Sequence, residues 1–70
     1  MDLGALYDAL IDNVDIQVWD MSAPDDGSII FEGKRYDSYD AIEPYESCRV
    51  VQIEVDDHGK LYVGIETSGF

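Results

Sequence analysis

The sequence predicts a small α+β domain: a four-stranded, largely antiparallel sheet of two hairpins, with one N-terminal helix and a short middle helix. The chain has 70 residues, enough for a single domain (1–70) around one small core. Its apolar fraction of 46% is too high for a disordered acidic tail. Apolar residues recur at helical spacing near the N-terminus and at alternate positions in four later segments.

The first helix is predicted to begin after an Asp2 cap and to run to about Asn13. One apolar stripe at helical spacing would face the core, formed by Leu3, Leu6, Tyr7 and Leu10. Asp8 and Asp12 would lie one turn apart on the exposed side, where like charges mildly destabilise a helix. We interpret this local cost as a sign that the negative surface is useful.

The first hairpin is predicted from strands at 14–21 and 28–32, joined by a loop at 22–27 in which Pro24 and Gly27 favour a turn. In the first strand, one face would carry Val14, Ile16 and Val18. In the second, Ile29 and Phe31 would share a face.

The second hairpin joins strands at 49–56 and 60–67 through Asp57-His58-Gly59, with Gly59 in the left-handed conformation. Alternation places two triplets on one face: Val51, Ile53, Val55 and Leu61, Val63, Ile65. We expect Val51, Ile53, Val63 and Ile65 in the core, where Ile53→Ala would cost about 2–5 kcal/mol.

The other face of the sheet would be acidic and aromatic, with nothing long enough to cover it. Its predicted members are Gln17, Trp19, Glu32, Gln52, Glu54, Tyr62 and Glu66. This face is expected to meet water or a partner, and it would allow a homodimer through Trp19 and Tyr62.

The segment 36–47 consists of four triplets, each an apolar residue, an acid, and a small residue or proline. Pro44 disfavours helix at Glu43, so the middle helix should be short. One interpretation is a crossover helix that packs Tyr39 and Ile42 on the core with solvated acids outside. The other is a binding ridge of carboxylates, and the two are compatible.

The charge is unusual, because sixteen acids against four Lys and Arg give a net charge of −12. A compact chain of this length should have a radius of gyration of ~11 Å and a diameter of roughly 28 Å. Duplex DNA of that length carries about 16 phosphates. Self-repulsion costs stability, so either solubility, a halophilic source or a basic partner must explain the charge.

Catalytic and metal-binding motifs are missing from the sequence. Cys48 and His58 have no triad partners by spacing, and no glycine motif suits a phosphate. Aligning Gly27 with a calcium-loop glycine puts another glycine at the bidentate position, and zinc ligands are too few. A pair of carboxylates could serve a hydrolase, but so small a core leaves no cleft. We therefore expect no enzyme, no cofactor and no dedicated metal site.

The cellular location expected from the sequence is the cytoplasm, that of the host cell if a phage encodes the protein. The start of the chain lacks a signal peptide, and no apolar run is longer than that of Ile29-Ile30-Phe31. The single cysteine rules out an intrachain disulfide, and anionic lipids would repel the chain.

Interleaved carboxylates and tyrosines suit a surface that takes the place of DNA on a basic protein. The candidate partner-binding residues are Asp8, Asp12, Asp37, Tyr39, Asp40, Glu43, Tyr45 and Glu46. Such a protein would bind a basic protein or ribonucleoprotein complex without touching nucleic acid.

The layout also carries a resemblance. A helix followed by "DIQVWD", "IIFEGKRYD" and the closing hairpin "VVQIEVDDHGKLYVGIE" resembles small acidic proteins of bacteriophages and mobile elements. Some proteins of that kind are anti-CRISPR or antirestriction inhibitors that mimic DNA. The resemblance implies an anti-CRISPR protein that blocks target-DNA binding by a CRISPR effector. The alternatives are an antitoxin-like or immunity-like inhibitor of a nuclease, and a phage regulatory or structural module.

Overall fold

The computed structural model describes residues 1–22 and 27–67, so residues 23–26 of the loop predicted at 22–27 lie outside the described residues. The helices and strands are α1 (Leu3–Asp8), β1 (Asp15–Asp20), β2 (Ser28–Lys34), α2 (Tyr39–Ile42), β3 (Arg49–Val55) and β4 (Leu61–Glu66). Within the described ranges, no helix is long and apolar enough to cross a membrane.

The four strands form one sheet in the order β2-β1-β4-β3. β1 and β2 form an antiparallel hairpin, β3 and β4 form a second, and the two hairpins meet through a parallel β1–β4 pair. The predicted fold class is confirmed. The chain between β2 and β3 must pass from one edge of the sheet to the other, and we call residues 35–48 the acidic crossover.

The core lies between the sheet and a helical layer made of residues 1–14 and 35–48. The helical layer contributes Leu3, Leu6, Tyr7, Ile42 and Cys48, and the central strands contribute Ile16, Val18, Leu61, Val63 and Ile65. Leu10 packs against this cluster. The predicted apolar stripe of the first helix and the inward face of β4 are therefore confirmed, and so are Ile16 and Val18 of β1. Val14, the third residue predicted on that face of the first strand, precedes β1 and is only half-buried. The radius of gyration, 11.1 Å, matches the expectation for a chain of this length.

The predicted inward face of β3 is wrong in part. Val63 and Ile65 are fully buried, but Val51 and Ile53 are 45% and 44% exposed. β3 is an edge strand with a bulge, since Val50 pairs with Ile65 while Gln52 pairs with Gly64. Val51 is the extra residue, and Val50 packs against the core instead.

A second bulge corrects the predicted face of β2. Val18 pairs with Phe31 but Trp19 pairs with Ile29, so Ile30 is the extra residue. Ile30 and Phe31 both pack against the core, and Ile29 is 50% exposed. Ile29 and Phe31 thus do not share a face, because a bulge breaks the alternation on which the prediction depended.

The first helix ends at Asp8, not near Asn13, so Asp12 does not lie on it. The predicted Asp2 cap is present, and its carboxylate accepts a hydrogen bond from the Ala5 amide at 2.8 Å. Beyond Asp8, the Tyr7 carbonyl accepts a turn-type hydrogen bond from the Leu10 amide at 3.1 Å. It also accepts hydrogen bonds from the Arg35 guanidinium, through Nε at 3.1 Å and Nη2 at 2.7 Å. That interaction is long-range and leaves no signal in the local spacing.

The turn of the second hairpin agrees with the prediction. Gly59 has φ 81°, a left-handed conformation that favours glycine. Asp56 Oδ1 accepts hydrogen bonds from the amides of His58 and Lys60, both at 2.9 Å. The carboxylate therefore closes the turn that sets the register of β3 and β4.

Candidate functional site

All six candidate carboxylates lie on the outer surface of the helical layer. Asp8, Asp12, Asp37, Asp40, Glu43 and Glu46 are each exposed. Of the two candidate tyrosines, Tyr39 is 47% exposed, whereas Tyr45 is partly buried against the core. The interpretation of the segment as a crossover helix placed Tyr39 on the core, and in the structure Tyr45 packs there instead.

The acidic crossover packs on the core through a few buried side chains, and its acidic side chains point to solvent. α2 is a single turn, flanked by the 3₁₀ turns Arg35–Asp37 and Glu43–Tyr45. Ile42 and Ser38 are 1% and 0% exposed, so they fix the inner side. Residues three apart superpose in 3₁₀ turns and drift by about 60° in an α-helix. The three-residue spacing of the acids therefore keeps them on the outer side along this path.

Arg35 joins the two parts of the helical layer. It is 8% exposed, and Nη1 donates to Asp12 Oδ1 at 2.5 Å and to the Tyr39 hydroxyl at 2.6 Å. Its guanidinium also lies over the rings of Tyr7 and Tyr39, 5.6 and 5.2 Å from their centroids. Arg35 therefore brings together two predicted site residues, Asp12 and Tyr39, that lie far apart in the sequence.

Every basic side chain of the protein is matched with a carboxylate. The pairs are Arg35–Asp12, Lys34–Asp15 and Arg49–Glu66, the last two at 3.0 Å, and Lys60–Glu32. Since Arg35 is the only basic residue of the acidic crossover and points inward, that segment presents negative charge alone to solvent. Among the described residues, no basic side chain contacts Asp37, Asp40, Glu43 or Glu46.

Sequence reasoning missed two residues of this surface. Arg35 was not singled out, although a lone basic residue in an acidic stretch is a signal for an internal ion pair. Tyr36 is 52% exposed beside Asp37, and its amide donates to the Asp12 carbonyl at 3.0 Å. It begins the series of triplets, so its position could have marked it as a third aromatic contact.

The opposite face of the sheet carries an open groove of about 320 Å³. It is lined by Gln17, Trp19, Met21, Gln52, Glu54, Tyr62, Val63 and Gly64. Trp19 Nε1 donates to Gln17 Oε1, and Gln17 Nε2 donates to Glu32 at 2.7 Å. Trp19 therefore lies on the face away from α1, as predicted. The homodimer through Trp19 and Tyr62 stays a prediction.

Several side chains have shifted pKa values, and the causes are burial and hydrogen bonds within the fold. Burial raises the pKa of Tyr7 and of the Cys48 thiol. The Lys60 amide holds the pKa of Asp56 below its usual range, and the hydrogen bond to Asp56 raises the pKa of Tyr62. A hydrogen bond from Lys60 lowers the pKa of Glu32. All five groups have a structural task, and they are spread over both faces of the sheet.

Comparison with protein-family models, curated proteins and solved structures finds no match for this chain. Among residues 1–22 and 27–67, no three His, Cys, Asp or Glu side chains are grouped to hold a metal ion. The outer side of the helical layer offers exposed carboxylates together with the exposed tyrosines Tyr36 and Tyr39. Such a surface suits binding to a basic partner.

Proposed function

We propose that this protein is an inhibitor that binds the nucleic-acid-binding site of a basic protein or ribonucleoprotein complex. The carboxylates of the acidic crossover take the places of DNA phosphates. The target we favour is a CRISPR effector in the cytoplasm of the host cell, whose binding of target DNA would be blocked. The protein has no catalytic role in this proposal and does not itself bind nucleic acid.

One observation carries the proposal: the acidic crossover turns its acids outward and its only base inward. Asp37, Asp40, Glu43 and Glu46 are exposed, whereas Arg35 is 8% exposed and paired with Asp12. A surface that needed charge only for solubility would not have to sequester its base. Carboxylates and phosphates both accept charge-assisted, often bidentate, bonds from Arg and Lys.

The dimensions of the molecule are compatible with a short piece of duplex. The long axis of the protein measures 30 Å, a length over which duplex DNA carries about 18 phosphate charges. The protein has a net charge of −12. The charge per length is thus of the same order, and a groove built for DNA would attract the protein over a Debye length.

The exposed tyrosines would supply contacts that phosphates lack. Tyr36 and Tyr39 flank the first acids of the crossover and are 52% and 47% exposed. The Tyr39 ring is held by its hydrogen bond from Arg35, so little side-chain entropy is lost on binding. Arginines of the target could stack on these faces while they pair with the carboxylates.

The test compares two double charge reversals against a panel of purified CRISPR effectors. The first variant carries Asp40→Lys and Glu43→Lys. The matched control carries Glu54→Lys and Asp57→Lys, two exposed acids outside the helical layer, so both variants have the same net charge. The measurement is binding of target DNA by the effector with increasing amounts of each variant.

The crossover variant should inhibit at least about 100-fold more weakly, since like charges across an interface cost several kcal/mol. The control should stay within about threefold of the unchanged protein, because it alters only the long-range field. Equal losses would mean that total charge matters and the crossover does not. A larger loss of inhibition in the control variant would indicate that the interface lies on the groove face.

A further inference from the structure

The outer edge of β3 is open over part of its length. At its start, the Val50 amide donates to the Met1 carbonyl at 2.9 Å, and Asp2 forms a bridge with Arg49. Among the described residues, no segment pairs with this edge from Val51 to Val55. The open stretch is therefore five residues long, and the N-terminal residues mark one end of it.

The backbone of this stretch offers hydrogen bonds outward. The Asp56 amide donates to the Lys60 carbonyl at 3.0 Å, so Asp56 and Lys60 form a hydrogen-bonded pair. Such pairs alternate along an antiparallel ladder, which makes Glu54 and Gln52 the next residues bonded to β4. The amide and carbonyl groups of Ile53 and Val55 consequently point away from the sheet.

The side chains of the stretch are apolar and poorly covered. Val51, Ile53 and Val55 are 45%, 44% and 65% exposed. In a protein with a net charge of −12, Glu54 is the only charged residue from Val50 to Val55. Natural edge strands are usually protected by lysine, proline or a covering segment. Beyond the bulge at Val51 this edge has no lysine or proline, and no segment within residues 1–22 and 27–67 pairs with it.

We propose that β3 pairs with β3 of a second copy of this chain, antiparallel and about a two-fold axis at Ile53. Ile53 then faces Ile53 of the other copy and exchanges both backbone hydrogen bonds with it, as its outward groups require. Val51 faces Val55, and Gln52 faces Glu54. Every pair in this register joins apolar to apolar or amide to carboxylate.

The neighbouring registers are worse for identifiable reasons. A two-fold axis at Glu54 would put that carboxylate opposite itself, and like charges directly opposite each other destabilise a sheet. An axis at Gln52 would bring Val50 into the ladder, but its amide is already bonded to Met1. An axis at Val55 would set Glu54 against Asp56. The register at Ile53 is thus favoured over its neighbours by two features: the charges of Glu54 and Asp56, and the pairing of Val50 with Met1.

The pairing joins two four-stranded sheets into one of eight strands. The two-fold axis runs through the sheet, so both helical layers lie on the same side and the two acidic crossovers form one longer surface. The contact is short, and the copies repel each other. We therefore expect a weak dimer that is favoured by high salt, the opposite of the salt effect expected for binding to a basic target. The dimer does not depend on the proposed function.

The register is tested by cysteine crosslinking under mild oxidation. In the proposed pairing, the Cα atoms of the two Ile53 residues are about 5.5 Å apart, within disulfide range. Those of the two Val55 residues are about 14 Å apart, four residues along the strand. Ile53→Cys should thus give a covalent dimer and Val55→Cys should not, although Val55 is the more exposed. Equal crosslinking, or crosslinking of Val55→Cys alone, would overturn the proposal.

Sedimentation of the unmodified chain tests the dimer itself. At protein concentrations up to about 1 mM, the dimer fraction should rise between about 0.1 M and 1 M salt, where the Debye length falls from ~10 to ~3 Å. Ile53→Lys should abolish the dimer, whereas Ile29→Lys, an equal change on the other edge strand, should not. A monomer under all conditions would overturn the proposal, and so would a dimer that survives Ile53→Lys, as pairing through Trp19 and Tyr62 would.

Discussion

At the scale of single residues, Arg35 joins the parts of the helical layer. Two nitrogens of its guanidinium donate to the carbonyl of Tyr7, in the last turn of α1. The same group pairs with Asp12 and orients Tyr39. One side chain therefore connects the end of α1, the loop at Asp12 and the acidic crossover.

The first stability prediction compares Arg35→Ala with Arg49→Ala. Arg35 is nearly buried, and its loss removes its hydrogen bonds to Tyr7, Asp12 and Tyr39 together with its packing on the two tyrosine rings, so we expect a cost of about 2–4 kcal/mol in the free energy of unfolding. Arg49 is exposed and makes one ion pair with Glu66, so its loss should cost less than about 1 kcal/mol. Chemical denaturation measures both. Equal costs would show that the Arg35 contacts contribute little.

At the scale of secondary structure elements, the central and edge strands differ in burial. β1 and β4 lie in the middle of the sheet under the helical layer, and their inward residues are buried. β2 and β3 lie at the edges, and each has a bulge. A bulge twists an edge strand and interrupts its pairing locally, and in β3 it lies at Val51, at one end of the stretch that stays open.

This difference sets the second stability prediction. Ile65→Ala should cost about 2–5 kcal/mol, because Ile65 is fully buried and its removal leaves a cavity. Ile53→Ala should cost less than about 1.5 kcal/mol, because Ile53 is 44% exposed and less surface is lost from the core. Urea unfolding of the two variants checks the ranking. A larger loss for Ile53→Ala would contradict the placement of β3 at an exposed edge.

The fold class followed from local patterns, since alternation and helical spacing identify strands and helices without tertiary information. The same patterns placed α1 and β4 correctly on the core. They failed at Val51 and at Ile29, because one extra residue in a bulge reverses the face of everything beyond it. They also failed at the end of α1, where the Tyr7 carbonyl bonds to Arg35, 28 residues away in the sequence.

The candidate site was also predictable only in part, since exposure follows from local sequence and side-chain packing does not. Carboxylates on a surface segment are exposed wherever that segment lies on the fold. The exposure of the four acids of the crossover therefore followed from the composition of the segment and from Pro44, which keeps its helix short; these acids are Asp37, Asp40, Glu43 and Glu46. The roles of the tyrosines were not predictable. Whether Tyr39 or Tyr45 turns inward depends on the sequence of 3₁₀ and α turns along the crossover.

At the scale of the whole molecule, the two faces differ in character. The helical layer carries the acidic crossover, with its base turned inward. The groove face combines Trp19 and Tyr62 with carboxylates that are partly paired, as in Glu32 with Lys60. If association is steered by charge, the helical layer is the face that should meet a basic target first.

The most direct measurement of the central claim is the association rate of the protein with its target as salt is raised. Binding through the acidic crossover should slow by at least about tenfold between about 0.1 M and 1 M salt, since steering is lost as the Debye length shortens. Target DNA should compete with the protein for the same site. An association rate that does not change with salt, together with simultaneous binding of DNA, would contradict the account.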